Sequence, residues 1–169
     1  LWGASSLLLS DRLVMRFGIK PPLITGLGLM TIGLLLFARV PVDGSWLVDI
    51  LPATLAASLG AGIAFNPILL AAMSGVHQEQ AGLASGVVNT AFMMGGAVGL
   101  AALAAIADSR TQSLADSGEG ALEALNGGYQ LAFLVAAIFV VGSAVVAATL
   151  PRSEPIGAHG EEPAGVPAA

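Results

Sequence analysis

Cysteine is absent from these 169 residues. That excludes disulfides, thiolate chemistry and cysteine-ligated metals. The two histidines, His77 and His159, stand far apart in polar segments. No ligand set for a haem or a metal is present in the apolar part of the chain, and no cofactor is expected. Charged residues make up only 10% of the sequence, against about 25% in an ordinary soluble domain. The formal net charge is −5, with most acids in polar connectors and near the C-terminus. No basic patch suits nucleic acid. No nucleophile–base pair, metal cluster or phosphate loop points to an enzyme. The N-terminus lacks the charged, apolar, small-residue order of a signal peptide. Residues 1–9 read instead as the end of a helix that starts earlier, which suggests a C-terminal piece of a longer protein.

What fills the chain is apolar. Hydrophobic residues reach 56% and mean hydropathy is +0.85. A globule needs a polar exterior, and this composition cannot supply one. Four long apolar runs cover residues 21–38, 46–73, 81–107 and 129–150. At 1.5 Å per residue even the shortest reaches roughly 27 Å, about the thickness of a hydrocarbon core. The runs lack the alternation of a β-barrel. The expected fold is therefore an all-α polytopic transmembrane bundle of four complete spans, preceded by the end of a fifth. None of the last three spans carries an internal charge, and Asp49 sits at the mouth of the second. Residues 108–128 are expected as a long polar loop, with a helical turn at 121–125. Residues 151–169, rich in proline and glutamate, are expected to be a disordered cytoplasmic tail. Arg12, Arg16, Lys20 and Arg152 fall on one side of such a bundle, and Arg39 and Arg110 on the other. That bias puts both chain ends in the cytoplasm. Trp46 and Tyr129 would mark the outer interface.

Several residues within the runs are patterned. On a helix, Gly82, Ser85, Gly86, Asn89, Met93 and Gly96 fall within about 100° of one another. Such a stripe admits a closely packed helix, or shapes a path beside one. Asn89 and Thr90 need hydrogen-bond partners in lipid. Pro67, after Asn66, lacks an N–H and should bend its helix, as a static kink or as a hinge. Arg12, Arg16 and Lys20 recur every fourth residue. They orient the chain and meet anionic headgroups, or latch one helix to another.

Three stretches then read together. They are Leu13-Val14-Met15-Arg16-Phe17-Gly18-Ile19-Lys20-Pro21-Pro22-Leu23, Gly62-Ile63-Ala64-Phe65-Asn66-Pro67, and Ala81-Gly82-Leu83-Ala84-Ser85-Gly86-Val87-Val88-Asn89-Thr90 with its continuation Gly95-Gly96-Ala97-Val98-Gly99. The chain resembles the C-terminal end of a major facilitator superfamily transporter, in the 14-span drug:proton antiporter branch of EmrB/QacA type. The third stretch is the most specific. Met15 stands where the family's basic-loop motif carries an Asp. The resemblance implies multidrug efflux by alternating access in the bacterial inner membrane. It implies as partners the lipid bilayer, a missing N-terminal portion of the same transporter, a small amphipathic substrate and protons. It makes Phe65, Asn66, Asn89 and Met93 candidates for the substrate path. Pro67, Gly82, Ser85, Gly86 and Gly96 become packing or hinge residues, and Arg12, Arg16, Gly18 and Lys20 the cytoplasmic basic loop. The other reading open to the sequence is a self-contained four-span protein with a structural or assembly role.

Overall fold

Two prolines open the first helix. Pro21 and Pro22 occupy its first turn, where a missing N–H costs nothing because no intrahelical acceptor exists there. A computed structural model describes residues 19–149, and in it this helix, α1, spans Lys20–Phe37. It ends through Ala38, whose N–H bonds back to the Leu34 carbonyl. A wide π turn, Trp46–Ile50, leads into α2, Leu51–Met73. Asp49 begins this turn's hydrogen bonding: its carboxylate accepts the Ser45 backbone N–H at 2.7 Å. A short 3₁₀ turn at Gln78–Gln80 precedes α3, Ala81–Asp116, and α4 covers Ala121–Thr149. No strand occurs among the described residues. All four helices are long and apolar enough to cross a membrane.

The long polar loop expected at 108–128 is not a loop. The α3 helix continues nine residues beyond its apolar run, and α4 starts at Ala121. Only residues 117–120 turn, with Gly118 at φ +93°, a conformation that glycine adopts without steric cost. The physical reason is local pairing. Thr111 donates to the Ala107 carbonyl at 2.8 Å and Gln112 to the Asp108 carboxylate at 2.9 Å, both one turn back. Gly128 of α4 lies directly against Ala107 and Thr111. A helix of 36 residues is roughly 54 Å long, well beyond a hydrocarbon core of about 30 Å. Its last turns therefore project into the polar layer with the start of α4 beside them.

The α1 and α2 helices form the tightest pair. Ala53, Ala57, Gly60, Ala64 and Pro67 recur every three or four residues along α2. Of these, Ala57, Gly60 and Ala64 face Gly26 and Gly33, seven residues apart on α1. A methyl group at Gly26 would stand 2.7 Å from the Ala64 nitrogen and 2.8 Å from the Gly60 carbonyl oxygen. One at Gly60 would stand 2.6 Å from the Gly26 carbonyl oxygen. Backbone meets backbone here, the arrangement small residues permit in lipid. Leu23, Leu27, Ala64 and Ala147 build the buried core, with Ile68, Val140 and Ala144 against them. Pro22 and Pro67 are completely buried, and α2 stays helical through Pro67. The helices line up as α2, α1, α4, α3, because α1 also packs on α4 and α4 on α3, while α2 and α3 barely meet.

Candidate functional site

The place where α2 and α3 do meet holds the first of the path candidates. Phe65 of α2 sits edge-on to Phe92 of α3, with ring centroids 5.8 Å apart and planes at 63°. Asn66 and Phe65 are half-buried beside this contact. Phe92 carried no signal in the sequence, since a lone aromatic in an apolar run does not announce its partner.

Along α3 the surface is open. No residue in its most apolar window is buried. Asn89 is exposed and Met93 is 70% exposed. A methyl group added at Gly82, Gly86, Gly95, Gly96 or Gly99 would meet no atom within 4 Å. Ser85 is exposed on the same face. Thr90 satisfies itself by donating to the Gly86 carbonyl at 2.8 Å. The Asn89 side chain makes no hydrogen bond to any described residue. Gly82 and Gly86 also floor a shallow groove of about 560 Å³, walled by Leu83, Val87 and Met94. The chain thus presents a membrane-length helix bearing an amide, a hydroxyl and a row of glycines, and the described residues do not cover it.

The two ends of the bundle are held differently. At one, the Lys20 ammonium donates to the Ala148 carbonyl at 3.1 Å. A cation there complements the negative end of α4 and takes one of its last free carbonyls. Arg12, Arg16 and Gly18 lie outside the described residues. At the other end, the Val40 carbonyl accepts from both Asn126, at 3.1 Å, and Gln130, at 2.9 Å. One turn below, Phe37 and Phe133 stack with centroids 5.1 Å apart. These contacts, together with Ile50 and Tyr129, line a cleft of about 330 Å³. They fix α1 antiparallel to α4, so residues 19 and 149 lie at the same end of the bundle. The amide pair was missed in the sequence because Asn126 and Gln130 stood in what read as loop and span edge. Their spacing of four was the available clue.

Four membrane-length helices with glycine-mediated contacts define a multi-pass membrane protein. The family model described as Major Facilitator Superfamily matches residues 1–100, and the chain belongs to that superfamily. Membership points to a transporter rather than an enzyme. Among its relatives, a cephamycin export protein, CmcT, from Amycolatopsis lactamdurans is 36% identical over 118 residues, covering 68% of this chain and 23% of the relative. A puromycin resistance protein, pur8, from Streptomyces alboniger is 31% identical over 148 residues, 86% of this chain and 29% of the relative. A drug efflux pump, JefA, from Mycobacterium tuberculosis is 35% identical over 105 residues, 62% and 20% respectively. The chain therefore spans less than a third of the length of these relatives. No solved structure matches it significantly.

Proposed function

We propose that this chain is the C-terminal part of a proton-coupled drug exporter of the 14-span branch, working by alternating access in a bacterial plasma membrane. Its four helices are the last four spans, and both ends of the chain are cytoplasmic. The substrate is a small amphipathic compound, as the names of the three relatives suggest by analogy. The partner is the N-terminal remainder of the same transporter, which also holds the proton-coupling acid, since none of the apolar runs carries an ionisable group near its centre. Rocking of two helical bundles around a midplane site would then move the substrate.

The observation that carries this reading is the uncovered face of α3. An amide facing hydrocarbon without a partner costs several kcal/mol. Asn89 therefore belongs against protein or a water-filled path, not against lipid. Phe65, Asn66, Asn89 and Met93 line that path on this side. Gly82, Ser85, Gly86 and Gly96 give a helix of the remainder a close approach, and Pro67 lets α2 flex.

Single cysteines at Asn89, Met93 and Phe139, placed in the complete transporter, test this. Phe139 is 68% exposed on α4, on a face that the proposal gives to lipid. A hydrophilic maleimide should modify positions 89 and 93, more slowly when a transported dye is present, and should leave 139 untouched. Unreactive cysteines at 89 and 93 would overturn the assignment of α3 to the path.

A further inference from the structure

A groove of about 430 Å³ runs between α3 and α4, lined by Ala105, Ile106, Ser109, Arg110, Ser113 and Leu131. It lies away from the α3 stripe and from the aromatic cleft. Its two halves differ in chemistry. Ala105, Ile106 and Leu131 make one half apolar, and Arg110 with the hydroxyls of Ser109 and Ser113 makes the other half a donor set. On the helix, Ile106, Ser109, Arg110 and Ser113 fall within about 100° of one another, so they share one face.

Three observations bear on what this groove can hold. First, Arg110 is the sole basic residue of α3 and α4, and its guanidinium makes no hydrogen bond or ion pair to any described residue. Second, Thr90 and Thr111 on the same helix turn their hydroxyls onto helix carbonyls. Ser109 and Ser113 do not, which leaves both hydroxyls for something else. Third, the depth is right. The apolar run of α3 ends at Ala107, so Arg110 stands roughly 4.5 Å further along the axis. That is inside the headgroup layer, about 5–8 Å thick on each side of the core. Ala105 and Ile106 lie at the hydrocarbon edge below it.

We propose that this groove binds one membrane phospholipid. Its phosphodiester sits on Arg110, Ser109 and Ser113, and its glycerol and upper acyl chain lie on Ala105, Ile106 and Leu131. A guanidinium matches two phosphate oxygens at once, and the hydroxyls add donors beside it. Charge selects the headgroup. Between residues 108 and 123 the sequence carries four acids, Asp108, Asp116, Glu119 and Glu123, and one base, Arg110, so this end of the bundle is net negative. A headgroup with net negative charge gains from Arg110 and loses to these acids. A zwitterionic headgroup with its own ammonium suffers no such loss. The ligand is therefore an aminophospholipid of the phosphatidylethanolamine class.

The test is lipid titration of the full chain, purified in detergent and followed by native mass spectrometry. The probes are phosphatidylethanolamine, phosphatidylglycerol, diacylglycerol and inorganic phosphate. One phosphatidylethanolamine should bind in preference to the other three. Arg110→Gln should weaken it about tenfold, as expected for losing a charge-assisted hydrogen-bond pair. Arg39→Gln should leave it unchanged. Ala105→Phe fills the apolar half without touching any charge, and it should also reduce binding should Arg110→Gln fail to fold. Equal binding in wild type and in whichever of Arg110→Gln and Ala105→Phe folds overturns the proposal. So does diacylglycerol binding as well as the phospholipid. A preference for inorganic phosphate would reveal a soluble-anion site, and a preference for phosphatidylglycerol would refute the headgroup assignment.

Discussion

Glycine does opposite things at two places in this chain. At Gly26, Gly33 and Gly60 there is no room for a side chain, because the opposing helix backbone already fills it. At Gly82, Gly86 and Gly96 there is room, because no described residue lies within reach. The difference makes a paired prediction. Gly60→Leu places four heavy atoms into the Gly26 and Met30 backbone, which a helix can avoid only by moving away. Overpacking costs about 1–3 kcal/mol in well-packed cores, and a seam of two backbones should fall at the upper end. Gly60→Leu should lower the unfolding midpoint of the purified chain in detergent, and Gly86→Leu should not. In the complete transporter, Gly86→Leu should reach the membrane in near-normal amount and lose most drug efflux. Equal stability of the two variants in the isolated chain would contradict the seam. Full efflux with Gly86→Leu would show that the stripe has no close partner. A second test at this scale concerns Val40. Its carbonyl takes two amides, so Gln130→Ala alone leaves it satisfied by Asn126. That change should cost about 0.6 kcal/mol, a typical interhelical bond in a membrane. Removing Asn126 as well should cost more than twice as much, because a carbonyl stranded without a partner costs about 1–3 kcal/mol. Additive losses in a double-mutant cycle would refute the shared acceptor.

At the scale of elements, the apolar runs located the helices and misjudged where two of them end. The second run, 46–73, matches the π turn and α2 together. Hydropathy reports where a helix leaves lipid, and helices do not stop at that boundary. Asp108–Asp116 is polar yet helical, because Asp108/Gln112 pairing and the contact of Gly128 with Ala107 continue the structure past the membrane edge. The α1–α2 seam was equally present in the sequence, as Gly26 and Gly33 facing Ala57, Gly60 and Ala64. It went unread because the denser glycine row of span three drew the pattern. That row is uncovered here, so its partner was never legible in these residues alone. Nitroxide scanning of residues 108–126 checks the helical extension. Mobility should oscillate with a period of about 3.6 residues through 116, break at 117–120 and resume from 121. Uniformly high mobility across 108–120 would restore the loop.

For the whole molecule, the open question of mechanism is which side of the membrane each end faces. The Lys20–Ala148 and Val40–Asn126 contacts settle that α1 and α4 are antiparallel, and so that the two ends of the described chain lie together. They do not distinguish inside from outside. The basic residues carry an expectation: Arg12 and Arg16 precede Lys20 in the sequence and Arg152 follows α4, whereas Arg39 and Arg110 belong to the opposite end. Lysine and arginine are retained on the cytoplasmic side during insertion, so the Lys20 end should be inside. The chain itself has no cysteine to give background labelling. Single cysteines at Glu79, in the connector before α3, and at Glu119, in the turn before α4, are both exposed and bear no structural hydrogen bond through their side chains. With a membrane-impermeant maleimide on intact cells, the cysteine at 119 should label at once. The cysteine at 79 should label only after permeabilisation, and one at Ser153 should behave like 79. The inverse pattern would turn the bundle over. It would also move Lys20 to the outer face, where a cytoplasmic latch has no meaning, and place the groove at Arg110 in the inner leaflet.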